Sequence, residues 1–405
     1  MKKKIFLIIF VILGSIFAGY ENPKLVENPK RYINYFLKKI GIVESFIISK
    51  NKENNKALKE EKPLEFFANS FAVELKKVRS IKGKTASVIF EENSDYRIFT
   101  QSGSDISKNK IEEMNLPIDF TLENEGGVKS VISINEKYFA LISRKTFGCH
   151  HASLIKLDNK KIILDSKCIQ DVKNINFAGL GGGYVFKDNS LLLSVGTPTH
   201  ISDNIDLLAQ AKNSIFGKIL EFKKSELQNN DQAAYKIYSL GHRNPQGLVL
   251  VGKNIYSTEH GPEGGDELNK IDINNNYGWP VVSLGTRYGG SSYKKNHSKN
   301  NFAEPIFSFL PAIAPSALTS CPLNLKNFYK DYTCLMGLTL REMSLMIYLI
   351  DENKNKLISF EKIKMNKRLR HFGLNKNGTL HQNKENFYIS SDKDGLYKIK
   401  FKDFR

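Results

Sequence analysis

Acidic residues are scarce for a chain of this length: 42 Asp and Glu stand against 60 Lys and Arg among 405 residues, a formal net charge of +18. The basic excess is not interleaved with aromatics and no nucleic-acid-binding motif accompanies it, so nucleic acid is not the expected partner. A diffuse cationic surface suits membrane headgroups, acidic glycans or an anionic cofactor, and selects none of them. Long apolar runs are also missing. The one candidate, residues 5–18, is shorter than the roughly 20 residues a membrane-spanning helix needs. It follows Lys2, Lys3 and Lys4, which is the layout of a secretory signal. Ile16 and Phe17 stand where cleavage prefers small residues, so cleavage is placed near Ala18 or Gly19, with an uncleaved membrane anchor as the alternative. Either way residues 1–19 put the body of the protein outside the cytoplasm, periplasmic or secreted.

Only four cysteines are present, and none has zinc-ligand spacing. An oxidising compartment makes two local disulfides the expectation, Cys149 with Cys168 and Cys321 with Cys334; four buried thiols are the alternative. Alternating strand and helix patterns are absent as well, which removes parallel-sheet folds. Apolar residues at 41% and charged residues at 25% remain ordinary for a folded protein.

What is there begins with a segment unlike the rest. Glu-Asn-Pro-Lys occurs twice, at 21–24 and 27–30; Ile33, Phe36, Leu37 and Ile40 follow at helical spacing, and residues 50–62 are rich in Lys, Glu and Asn. Residues 20–62 read as a helical and charged tether, and residues 63–405 as the main domain. That domain is written in short apolar strands separated by turns of Asn, Asp, Lys or Gly. Examples are 130–134 with 138–143, 153–157 with 161–165, 184–186 with 191–195, 248–251 with 254–257, and 387–389 with 396–401. The composition predicts an all-β fold. Recurrence of one strand–turn–strand unit fits propeller blades, and a sandwich fits nearly as well.

Two stretches are too rich in Gly and Pro for strand interiors: residues 241–247 (GHRNPQG) and residues 259–269 (EHGPEGGDELN), the latter followed by Asn276-Tyr277-Gly278-Trp279-Pro280. Such clusters fix irregular backbone whose carbonyls can turn to one point, and carboxylates beside them supply hard oxygen ligands for Ca²⁺. Two ordinary acidic turns are the plainer reading. In order and spacing, however, these segments resemble the signature of the soluble PQQ-dependent glucose and aldose sugar dehydrogenases. Phe216-Gly217-Lys218-Ile219-Leu220, Thr339-Leu340-Arg341, Arg368-Leu369-Arg370 and the turn at 375–379 extend the resemblance over residues 175–405.

The resemblance implies a six-bladed β-propeller, a bound PQQ, calcium, and a sugar or alcohol substrate. Arg368 and Arg370 would hold cofactor carboxylates, since a guanidinium donates two hydrogen bonds to one such group. Arg243, Asn244 and Arg341 would lie near the quinone, the last replacing a lysine. The carbonyls of Gly261 and Pro262 would hold a Ca²⁺ acting as Lewis acid, and Asp266, Glu267 and Tyr277 match a second, structural calcium region. One part of the pattern breaks. The family's base is a histidine in a segment of the type His-x-x-Gly-Arg, oriented by an aspartate after the next strand. Here Gly179 takes the histidine position, Gly183 the arginine position and Thr197 the aspartate position. Glycine cannot move a proton. His200, just past the Thr197 turn, is the substitute base to consider, while His150, His151, His242 and His260 lie elsewhere. Three functions follow: a PQQ- and Ca-dependent dehydrogenase with an altered base, a non-catalytic module of the same fold keeping an anion and calcium pocket, and a lactonase-type hydrolase, which lacks the expected inward Asn and Asp cluster.

Overall fold

The computed structural model describes residues 63–91, 95–108, 110–170, 175–199, 203–229 and 232–405. The chain divides into residues 1–61 and residues 62–405, and only the second unit is considered below. The expected signal at 1–19, the tether at 20–62 and His200 lie outside the described residues.

The described part is all-β, as its composition predicts. Its strands form successive antiparallel meanders, each running outward from a first strand. The first meander comprises Thr85–Phe90, Tyr96–Thr100, Ser104–Ser107 and Ile111–Glu113. The second comprises Val128–Ile134, Lys137–Thr146, Cys149–Lys156 and Ile162–Asp165; the third Gly181–Lys187, Ser190–Val195, Lys218–Lys223 and Tyr235–Leu240. The fourth comprises Pro245–Val251, Asn254–Glu259, Asp266–Ile271 and Phe307–Phe309; the fifth Pro315–Ser320, Thr333–Thr339, Ser344–Asp351 and Lys356–Lys364. The sixth takes Leu369–Asn375, Asn386–Ser391 and Gly395–Lys402 from the C-terminal end and Ala72–Ser80 from the opposite end of the domain. That last strand pairs antiparallel with Gly395–Lys402, from Ala72 opposite Lys402 to Ser80 opposite Gly395.

Burial explains the composition. Strands such as Ser190–Val195 and Thr333–Thr339 are buried on both faces, so their sequences SLLLSV and TCLMGLT are nearly continuous apolar runs rather than alternations. The outermost strand Lys356–Lys364 is largely exposed and reads KLISFEKIK. Apolar side chains of adjoining meanders pack face to face. One cluster joins Leu141 and Leu154 to Leu191 and Leu220, another Ile219 to Ile255, another Val249 to Leu335, and another Leu345 to Phe387 and Ile399. Smaller clusters join Phe99 to Val131 and Val88 to Leu396. Each meander therefore packs on the next, and the sixth packs on the first. Between those two, Leu369–Asn375 also pairs parallel with Thr85–Phe90, Gly373 opposite Val88.

The turn between the first two strands of the second meander has positive φ at both Asn135 and Glu136, the backbone that a two-residue hairpin loop requires. Both expected disulfides are formed. Cys149 bonds Cys168 beside the second meander, and Cys321 bonds Cys334 in the fifth.

Candidate functional site

Every first strand breaks register near its start: between Thr85 and Ser87, Val128 and Ser130, Gly181 and Tyr184, Pro245 and Gly247, Pro315 and Ala317, and Leu369 and Phe372. Bulges re-aim side chains, and here the residues inside them (Ala86, Lys129, Gly182 and Gly183, Gln246, Ser316, and Arg370 and His371) all line one cavity of about 510 Å³. All six first strands thus contribute to a single space at the centre of the domain, within the size range of small-molecule sites.

The cavity is cationic. Lys84, Lys129, Arg243, Arg368 and Arg370 line it against one carboxylate, Glu125. Lys84 Nζ is 2.7 Å from Glu125. Arg370 forms a two-point pair with buried Asp392 at 2.8 and 2.6 Å, and that partner holds the Asp392 carboxyl below its usual range although burial opposes it. Arg368 is half-exposed; its Nε lies 3.7 Å from Asp392 and its Nη1 donates to the Leu340 carbonyl at 3.3 Å. Arg243 lies over the Trp279 ring at 5.2 Å and donates to the His260 carbonyl at 3.2 Å, while its buried Nε has no hydrogen-bond partner among the described residues. Asn244 Oδ1 accepts from the Gly181 amide at 3.2 Å, joining the fourth meander to the third.

Behind Arg243 lies a buried polar group. Glu259 accepts from the Arg243 amide at 3.0 Å and from Asn269 Nδ2 at 2.7 Å, and stands 3.1 Å from His242 Nδ1. Burial opposes its ionisation, but His242 and the amide donor hold its carboxyl below the usual range. His242 also meets Ser239 Oγ at 2.8 Å and stacks on Tyr277. These contacts fix the backbone at 242–244 and so aim Arg243 and Asn244. Two cavity histidines are weak bases: burial pushes His260 down to about 4 and His371 to about 3.

Arg243, Asn244, Arg368 and Arg370 are thus brought together. Arg341 is exposed and does not line the cavity. Gly261 lines a smaller adjoining pocket with Arg243, Glu267 and Tyr277. The Pro262 carbonyl accepts from Tyr288 Oη at 3.4 Å. Asp266 spends both carboxylate oxygens on the amides of Gly261, Ile313 and Ala314, at 2.9, 2.7 and 2.6 Å. The Tyr277 hydroxyl donates to the Lys270 carbonyl at 2.6 Å and accepts from the Asp272 amide at 2.9 Å. Burial and the neighbouring Glu259 push the Glu267 carboxyl well up. Among the described residues no group of three or more His, Cys, Asp or Glu side chains is gathered as for a metal ion.

Gly179 lines the central cavity, and Thr197 is buried beside it, its hydroxyl donating to the His242 carbonyl at 2.9 Å. Histidines 150 and 151 belong to Cys149–Lys156, away from the cavity lining. Lys84, Glu125, Lys129 and His371 are cavity residues that motif reading missed; Gly126 and Gly127 just before Lys129 were the available signal, since paired glycines mark irregular backbone.

Six β-meanders, each packed on the next, thus surround a cavity whose described lining carries more cations than carboxylates. The chain belongs to the glucose/sorbosone dehydrogenase family, whose model matches residues 148–392. It is 38% identical over 147 residues to an uncharacterized protein of Synechocystis, covering 33% of this chain and 36% of that protein. It is 35% identical over 92 residues to an aldose sugar dehydrogenase of Escherichia coli, covering 21% and 24%. The matched stretches thus span about a third of the length of the first relative and a quarter of the second. The soluble aldose sugar dehydrogenase of Escherichia coli in its apo form aligns with a TM-score of 0.64 at 17% identity, covering 82% of this chain and 100% of that one. The PQQ-bound aldose sugar dehydrogenase of Streptomyces coelicolor aligns at 0.55 and 17%, covering 81% and 98%. At these identities the structural likeness is one of fold.

Proposed function

We propose that the chain is an extracytoplasmic six-bladed β-propeller that binds PQQ in its central cavity and oxidises a sugar or alcohol. Each meander is one blade, and Ala72–Ser80 closes the ring. The observation that carries the reading is the convergence of Arg243, Arg368 and Arg370 with Asn244 on one cavity. A trianionic quinone fits them: the buried Arg243 Nε lacks an acceptor among the described residues, and five cations face one carboxylate. Arg368 and Arg370 hold cofactor carboxylates by charge-assisted hydrogen bonds; Arg243 and Asn244 border the quinone. When bound, that cofactor supplies a two-electron hydride acceptor.

The calcium donors in this reading are the backbone carbonyls of Gly261 and Pro262. Asp266 fits a supporting role there, because its carboxylate already orients the Gly261 amide. The side chains of Asp266 and Tyr277 are engaged elsewhere and do not fit as ligands of a second ion. Two disulfides support an oxidising compartment, consistent with a periplasmic or secreted chain, membrane-attached if the segment at 1–19 is retained. A non-catalytic binding module is the second reading, favoured by glycine and threonine at the positions of the family's base and its partner.

Calorimetric titration with PQQ in the presence of Ca²⁺ tests the assignment. Micromolar or tighter binding is expected, and Arg368→Gln, a half-exposed site, weakens it by about tenfold, the equivalent of roughly 1.4 kcal/mol. Unchanged affinity in that variant removes the pocket assignment. Aldose turnover with an artificial electron acceptor then separates the enzyme from the binding module.

A further inference from the structure

The six bulges carry unlike residues. Ala86, Gly182, Gly183, Gln246 and Ser316 carry no basic side chain, Arg370 pairs with Asp392 and stays a cation, and burial pushes His371 down to about 3. Lys129 places an amine on the cavity wall. Across from it, in the gap between the second and third meanders, stands the glycine run at 181–183. A Cβ added at Gly182, where φ is +105°, would lie 3.2 Å from the Lys129 carbonyl oxygen and 3.3 Å from its Cβ. The run that replaces the family's histidine segment is thus the one that leaves room beside Lys129. The amine is oriented: Nζ donates to the Glu125 carbonyl at 2.7 Å and, more weakly, to the Gly126 carbonyl at 3.4 Å. A neutral amine has two N–H groups and one lone pair. The two carbonyls take the N–H groups and leave the lone pair to accept a proton.

We infer that Lys129 is the base of this chain, its amine taking the hydroxyl proton of a sugar or alcohol bound in the cavity. The inference rests on the cofactor reading above. The substrate O–H bond breaks with its proton going to Lys129 Nζ. The adjacent C–H bond breaks with its electron pair leaving as hydride to the bound ortho-quinone, and the electrons of the O–H bond form the C=O of the product. The charged and titratable groups that line the cavity with Lys129 are Lys84 beside the first strand, Glu125 just before its own strand, Tyr184 from the third meander, Arg243, His260 and Tyr288 from the fourth, and Arg368, Arg370 and His371 from the sixth; among the described residues the fifth contributes only Ser316, Ala317, Leu318 and Leu340. Burial, then repulsion from Arg370 and Lys84 against the weaker attraction of Glu125, brings the amine down to about 7. General bases work best near the operating pH. His260 and His371, at about 4 and 3, are far weaker bases, and His260 Nε2 is engaged by the Pro315 carbonyl at 2.7 Å.

Two measurements test this. The first needs no cofactor: competitive acetylation of the whole chain, read by mass spectrometry as a function of pH, reports when each amine becomes nucleophilic. Lys129 should reach half-reactivity near pH 7, against about 10.4 for an ordinary lysine. The second compares Lys129→Met and Lys129→Arg with the unmodified protein. Both should still bind PQQ, Lys129→Met within about tenfold of the unmodified protein, and lose turnover by at least about 100-fold, and a small primary amine should restore part of it to Lys129→Met. An ordinary acetylation profile, turnover retained in Lys129→Met, or PQQ binding without turnover in the unmodified protein overturns the inference while leaving the cofactor pocket standing. Failure of the unmodified protein to bind PQQ overturns the cofactor reading and this one with it.

Discussion

Gly179 shows how a single residue reshapes its surroundings. A Cβ there would stand 2.9 Å from the Thr197 carbonyl, and one on Gly196 would meet the Gly179 carbonyl at 1.9 Å. The backbone has closed around the missing side chain, and Thr197, tied to the His242 carbonyl, holds it closed. On the proposed reading, a histidine placed at Gly179 therefore does not reconstruct a base site. Gly179→His is expected to lower stability by about 1–3 kcal/mol through overpacking and to leave sugar turnover no higher than in the unmodified protein. Denaturant melts and steady-state assays check both halves. A variant that gains activity without loss of stability would show that the gap is still open. The same scale explains what could be read in advance. Arg243, Asn244, Arg368 and Arg370 sit in contiguous motifs whose spacing is visible in one dimension. Lys129 sits in an apolar strand, and its bulge turns it into the cavity; a bulge is a register event between two strands, and the Gly126-Gly127 pair before the strand marks irregular backbone without saying which side chain it re-aims.

At the scale of elements, Lys218 does for a loop what Glu259 does for a strand end. Its side chain is buried at the start of Lys218–Lys223, and Nζ donates to the carbonyls of Leu208, Ala209 and Phe216 at 3.0, 2.8 and 2.7 Å. The segment before that strand is also tied by the amides of Ala211 and Gly241, which bond the Leu208 and Ala209 carbonyls, and the amine joins these anchors at one point. Lys218→Met would leave the buried Phe216 carbonyl unpaired and take a second donor from the carbonyls of Leu208 and Ala209, which keep the amides of Ala211 and Gly241, and is expected to cost about 1–3 kcal/mol at pH 7. Burial brings the folded-state amine down to about 7, while the unfolded chain keeps its proton to about pH 10.4. Between those values the unfolded state binds more protons, so the unmodified protein gains stability as pH rises. The deficit of Lys218→Met should therefore widen from pH 7 to pH 10 in urea melts. A deficit that narrows would mean the amine stays charged in the fold. Elements were the most legible level of the sequence, since hairpin strands and turns are local. Their grouping was less so: the hairpins at 130–143 and 153–165 read as two units, yet Lys137–Thr146 pairs with Cys149–Lys156 and joins them in one sheet.

For the whole molecule the decisive contact joins residues from opposite ends of the domain. Ala72–Ser80 reads AVELKKVRS, too polar to stand out as a core strand, because only one of its faces is deeply buried. Val73 and Leu75 nonetheless pack with Phe387, Ile399 and Phe401, and the strand pairs along the length of Gly395–Lys402. Such pairing depends on two distant segments meeting, which local periodicity does not encode. Its energetic weight follows from the architecture. Each meander buries its faces only against its neighbours, so a sixth sheet lacking one strand exposes both an unpaired edge and part of the apolar layer beneath it. Leu75→Ala is expected to cost about 2–5 kcal/mol. Deleting residues 63–80 should be far worse than the sum of its lost contacts, replacing one sharp unfolding transition with a broad one and increasing binding of a hydrophobic dye. Differential scanning calorimetry of the two variants separates the outcomes. If the shortened chain melts as sharply as the intact one and within about 1.5 °C of it, a shift worth roughly 1 kcal/mol or less, this pairing is not what holds the domain together.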